Sequence, residues 1–181
     1  MKKIIGFDLD GVIIDHSKAK VSLAEKLGYR VNILETPASI IRTLMPKDSY
    51  KKLKNTLYDH PVIALKSPLM FGVRERLEDL REKNVPFFLI SRRQTAKMPI
   101  ELLKKHRLWP DFFNENNVSF VKERRDKNTR AIELGVTHYI DDEPEVLAEL
   151  VDVKNRFLFD PLDIFKETLY KKIRSWDTID F

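Results

Sequence analysis

The sequence predicts an α/β protein, a doubly wound parallel sheet with a small helical insertion after its first strand. Three observations predict it. Short apolar runs alternate with stretches of helical period over most of the 181 residues, which is the pattern of strands joined by crossover helices. The apolar runs are nearly continuous, as expected for strands covered on both faces. The alternation is interrupted once, early in the chain, by helical patterns alone.

The elements follow in order. Lys3-Ile4-Ile5-Gly6-Phe7 reads as a short buried strand. Ser17 to Leu27 is a helix stopped by Gly28, Thr36-Pro37 opens a second helix, and Pro46 to Leu57 reads as a third. Residues 17–64 thus form the insertion, read either as a lid over the sheet's carboxyl edge or as helices packed on the core. The remaining segments, 1–16 and 65–181, form the core. There Gly72 to Lys83 carries Val73, Leu77 and Leu80 on one helical face. Strands are expected at Pro86 to Ile90, Val118 to Val121, His138 to Ile140 and Arg156 to Phe159. Helices are expected at Thr95 to His106, Thr129 to Leu134 and Pro144 to Leu150, and a closing helix from Pro161 to Ile173 precedes the tail SWDTIDF.

Composition narrows the function. With 43% hydrophobic and 34% charged residues the chain can bury a core. The absence of cysteine excludes disulfides, zinc–thiolate sites and thiol catalysis. Asp8 and Asp10 interrupt the first apolar run too early for a signal sequence or a membrane span, so a cytoplasmic protein is expected. The net charge of +5 is spread over basic residues interleaved with acidic ones, which argues against nucleic acid and suits a small phosphorylated ligand.

Two acidic motifs end apolar runs. In Gly6-Phe7-Asp8-Leu9-Asp10-Gly11 two carboxylates follow a buried strand. Such a pair is costly without positive charge, and a divalent cation with oxygen ligands, such as Mg²⁺, removes the cost. Gly11 permits a sharp turn. Tyr139-Ile140-Asp141-Asp142-Glu143-Pro144 repeats the arrangement, and reads equally as a capped helix start. Taken singly, Ser91 reads as a helix cap and Lys127 as a solvated lysine.

Their order changes the reading. An Asp-x-Asp-Gly after the first strand, then Ser91, Lys127 and the Asp141-Asp142 pair, resembles the four-motif pattern of haloacid dehalogenase-like hydrolases. The resemblance extends over the core, with a Rossmann-like sheet, and Phe157-Leu158-Phe159-Asp160 is most similar to the small 5′-nucleotidase-type branch. It implies a phosphatase in which Asp8 is the nucleophile and Asp10 the general acid/base. It also implies phosphate contacts from Ser91 and Lys127, and magnesium ligands from Asp8, the Asp10 carbonyl, Asp142 and Asp141. Lys122 rivals Lys127 for the lysine role. Arg92, taken as a further phosphate contact, and Arg93 either touch phosphate or face solvent. His16 is read as a loop histidine or a substrate contact. The implied substrate is a small phosphorylated metabolite such as a nucleoside monophosphate. The alternatives are a non-catalytic binding module of the same fold, or a dehalogenase.

Overall fold

A computed structural model describes residues 2–179. Six strands form one parallel sheet: β1 (Ile5–Phe7), β2 (Phe87–Arg92), β3 (Val118–Val121), β4 (His138–Asp141), β5 (Asn155–Phe159) and β6 (Lys171–Ile173). Their order across the sheet is β3-β2-β1-β4-β5-β6, so β1 is central between β2 and β4. Phe7 is in register with Leu89 and Ile140, which places the residues after β1 beside the ends of its two neighbours.

Side chains alternate across this sheet with a period of two. Ile5, Phe7, Leu89, Ile140, Phe157 and Phe159 enter one core, shared with α5 (Val73–Glu82) and α6 (Lys97–Lys105). Ile90, Tyr139 and Leu158 enter a second, shared with α7 (Arg124–Glu133) and α8 (Pro144–Glu149). The sheet is therefore covered on both faces, as the unbroken apolar strands require.

Residues between β1 and α5 form α1 (Ser17–Lys26), a 3₁₀ turn at Ile33–Glu35, α2 (Ala38–Ile41), α3 (Lys47–Asp59) and α4 (Pro61–Ala64). They bury an apolar cluster of their own, including Leu23, Ile41, Leu53 and Leu57.

The closing helix expected over Pro161 to Ile173 does not form. The chain turns instead and then adds β6 beside β5, pairing Phe157 with Lys171 and Phe159 with Ile173. Asp160 accepts hydrogen bonds from the Ile164 and Phe165 backbone N–H groups at 2.8 and 3.0 Å, and Asp163 adopts φ +52°. Side-chain bonds to the local backbone compete with helix formation, and the open edge of β5 offers a complete set of strand partners.

The tail is anchored where it can be described. Trp176 is fully buried between Phe7 and Phe159, and its indole N–H donates to the Val12 carbonyl at 2.8 Å. The last two residues of SWDTIDF lie outside the described residues.

Candidate active site

Strand ends bring the acidic motifs together. The Asp8 backbone N–H donates to the Ile140 carbonyl at 3.0 Å, which continues the β1–β4 ladder and sets Asp8 beside Asp141. Asp8 is 7% exposed, Asp141 1% and Lys127 2%. The Lys127 ammonium lies between the two carboxylates, 2.7 Å from Asp8 Oδ1 and 2.8 Å from Asp141 Oδ2. Its helix begins earlier than its periodicity suggested, at Arg124. A reciprocal capping arrangement of Glu123 and Asp126 fixes that start, so Lys127 sits inside α7 and faces the sheet. Lys122 is exposed.

One ammonium does not balance the charge here. Oxygen atoms of Asp8, Asp141 and Asp142 lie within 4.8 Å of one another. Burial lowers the charged form of Lys127, but Asp141 and Asp8 outweigh it and hold its pKa well above the ordinary value. Burial pushes the Asp141 carboxyl up to about 7 against the pull of Lys127, and Asp8 adds to the rise. Burial, Asp141 and Glu143 likewise push Asp142 well above the usual carboxylate range. Lys20 is also close, but its ammonium is bound to the Thr36 carbonyl at 3.0 Å. Three carboxylates facing one committed lysine fit a hard divalent cation with oxygen ligands.

The turn that follows Asp8 depends on Gly11. It has φ +84°, and a Cβ there would overlap the Asp142 carboxylate. Only glycine allows the backbone this close to Asp142 in a left-handed conformation.

Asp10 is held separately. Its Oδ1 accepts from His16 Nε2 at 2.7 Å and from Arg93 Nη2. Since a carboxylate only accepts, Nε2 carries the proton and His16 Nδ1 accepts from the Ser67 hydroxyl at 2.7 Å. Burial opposes ionisation of Asp10, but Arg93 and His16 hold its carboxyl well below the usual range. Burial lowers the His16 pKa, which favours this neutral tautomer. Arg93 in turn stacks over the Tyr58 ring at 3.9 Å, joining Asp10 to α3 of the insertion. Neither His16 nor Arg93 is a solvent-facing residue, and both are buried.

Ser91 lies within β2 and caps no helix; α6 begins at Lys97 after Ala96. The Ser91 side chain is 1% exposed and its Oγ has no hydrogen-bond partner among the described residues. A buried hydroxyl without a partner costs free energy in the free protein and suits a polar ligand. The second acidic motif is likewise no side-chain cap. Asp141 Oδ1 accepts the Glu143 N–H at 3.0 Å in a turn, and α8 has no side-chain cap bond.

A cavity of about 280 Å³ is bounded by Asp8, Asp10, Ser91, Lys127 and Asp142 from the sheet end and by Tyr50, Lys54 and Tyr58 from α3. Arg92 lines it as well. A larger, more apolar cavity of about 460 Å³ reaches Gly11 and Asp142 but none of Asp8, Asp10, Ser91 or Lys127. The smaller one therefore gathers the candidate residues of both acidic motifs with Ser91 and Lys127. His16, Arg93, Tyr58 and Lys54 join the site from segments whose spacing carries no signal, and only the lone histidine after the Asp-x-Asp-Gly motif stands out in the sequence.

No protein-family model and no curated protein matches the chain. Solved structures do. A HAD hydrolase of family IA from Entamoeba histolytica aligns with TM-score 0.67 at 15% identity, covering 99% of this chain and 96% of that one. A predicted phosphatase from Clostridium acetobutylicum aligns with TM-score 0.67 at 13% identity, covering 98% and 95%. A HAD-family hydrolase from Deinococcus radiodurans, with bound phosphate and sodium, aligns with TM-score 0.65 at 16% identity, covering 97% and 92%. The chain has the haloacid dehalogenase-like fold. No helix among the described residues is long and apolar enough to cross a membrane.

Proposed function

We propose that this protein is a magnesium-dependent phosphomonoesterase acting through an aspartyl-phosphate. The observation that carries the reading is the convergence of Asp8, Lys127 and the Asp141-Asp142 pair at adjacent strand ends, with one ammonium against three carboxylates. Asp8, Asp142 and the Asp10 carbonyl, with Asp141 beside them, would hold magnesium, which would supply positive charge to the phosphoryl oxygens.

Asp8 attacks phosphorus as the ester bond breaks, and the leaving oxygen takes a proton. Ser91 Oγ and Lys127 donate to phosphoryl oxygens, where charge accumulates in the transition state. Asp10 is the proton-transfer group. Arg93 and His16 keep its free carboxyl ionised, so in the first half-reaction it passes on a proton brought by the substrate monoanion. In the second it accepts a proton from the water that hydrolyses the aspartyl-phosphate, returning Asp8 as a carboxylate. Residues 17–64 act as a cap that selects substrates, since α3 supplies one wall of the cavity.

Apart from Ala38 and Val146 the cavity lining is polar, charged or tyrosine. That supports a small polar phosphate ester over a nucleoside monophosphate, whose base needs an apolar or aromatic platform. The test is release of phosphate from an aryl phosphate with magnesium, with EDTA, and by Asp8→Asn. Turnover only by the wild type with magnesium is expected. Equal turnover in EDTA removes the metal, and wild-type turnover by Asp8→Asn removes the nucleophile.

A further inference from the structure

The cavity carries two half-buried cations that the phosphoryl chemistry leaves unused. We infer that Lys54 of α3 and Arg92 at the end of β2 bind a second anionic group of the substrate, a carboxylate or a second phosphate. The inference rests on the phosphomonoesterase reading for the first anion, and it defines the substrate as a small phosphate ester carrying a further negative charge.

Of the other cations around this cavity, Lys122 is exposed and the rest are committed. Lys127 binds Asp8 and Asp141, Arg93 binds Asp10, and Lys20 binds the Thr36 carbonyl. Arg124 binds Glu143 at 2.9 Å and Glu145 at 2.8 Å, so the Glu143 carboxylate is occupied as well. The side chains of Lys54 and Arg92 make no ion pair or hydrogen bond among the described residues. Both are half-buried and both line the cavity.

Holding them there is unfavourable without a ligand. Burial, then the Arg92 charge, lowers the Lys54 pKa from its ordinary value. Two like charges in a partly desolvated place repel, and an anion between them removes both the repulsion and the missing hydrogen bonds. The aromatic faces nearby are not free for a base. Arg93 covers Tyr58 at 3.9 Å, and Lys54 sits 5.9 Å from the Tyr50 ring centre. One cation comes from the insertion and the other from the sheet, so an anion held by both also draws the two parts together.

Titration calorimetry on Asp8→Asn protein with magnesium, where turnover is blocked, reads the site directly. Phosphoglycolate supplies a carboxylate and glycerol bisphosphate a second phosphate, while glycerol phosphate has neither. One of the first two is expected to bind at least about tenfold tighter than glycerol phosphate, a difference of about 1.4 kcal/mol. The stronger arm identifies the anion. Adding Lys54→Met or Arg92→Gln is expected to reduce that advantage to within about threefold. Equal affinity for all three ligands overturns the inference, as does an advantage that survives both substitutions. Turnover by the wild-type protein separates this site from the reading it rests on. Unselective hydrolysis of all three esters removes the second-anion site and leaves the phosphatase. Selective binding without hydrolysis of any ester leaves the site and removes the phosphatase.

Discussion

Replacing Lys127 by Met tests the charge balance on which the site stands. The change keeps an unbranched chain of similar length and removes only the ammonium. In the native protein that ammonium is 2% exposed and makes two charge-assisted bonds, at 2.7 and 2.8 Å. Removing one partner of a buried ion pair costs about 3–5 kcal/mol, because the other charge stays buried. Here the cost falls at the lower end. Asp141 already titrates at about 7, and without its lysine it takes up a proton at neutral pH, which limits the penalty. About 3 kcal/mol in a chain of this size lowers the melting temperature by roughly 6–12 °C. Scanning calorimetry in EDTA measures it, and a second scan with magnesium isolates the charge effect from simple packing loss. Without a resident cation, three carboxylates attract magnesium more strongly, so the metal should raise the melting temperature of Lys127→Met more than that of the wild type. Turnover should nevertheless be lost, since a phosphoryl contact is gone. A fall of less than about 2 °C in EDTA, or an equal magnesium shift in both proteins, refutes the reasoning.

Ser91→Ala should lower kcat/KM by about 10²-fold while changing stability by no more than about 1 kcal/mol, because its Oγ loses no protein partner. A large stability loss with unaltered kinetics would give Ser91 a structural role. Metal-free protein should lose stability as pH rises from about 6.5 to about 8, since Asp141 has a folded pKa raised to about 7 and holds a proton the unfolded chain has released. The loss is about 1 kcal/mol, or 2–4 °C, read as the difference between the wild type and Asp141→Asn, and parallel melting profiles of the two across that window contradict the Asp141 shift. Up to about pH 7.5 the depressed pKa values of His16, His106 and His138 act in the opposite sense, because the folded state resists their protonation. Trp176→Ala should cost about 3–5 kcal/mol, since it empties a fully buried indole site and leaves the Val12 carbonyl without its donor. A melting temperature unchanged by that substitution would mean the tail does not hold the core.

The fold class and the strand ends that bear the acidic motifs were legible in the chain itself, because both depend on local pattern. Continuous apolar runs marked the inner strands, and the carboxylates at Asp8 and Asp141 stood where those runs stop. The exposed edge was not legible. Lys171–Ile173 has no strand signal of its own, and it is a strand because β5 presents unpaired backbone groups to it. The early start of α7 was hidden for a related reason, since Glu123 and Asp126 cap each other across a polar stretch without apolar period.

What the sequence determined by itself was an ordered set of acidic, hydroxyl and lysine residues at the ends of strands and at one helix start. Tertiary structure decided which of them meet. It chose Lys127 over Lys122 by starting α7 at Arg124, which turns Lys127 to the sheet and leaves Lys122 exposed before the helix. It also gave Arg93 and Arg92 different surroundings, although both line the cavity. Arg93 binds Asp10, and the Arg92 side chain is left without a partner among the described residues, in the same cavity as Lys54 of the insertion. Local pattern records which face of an element is buried. The partner across a cavity comes from a distant segment, and only the folded chain fixes that distance.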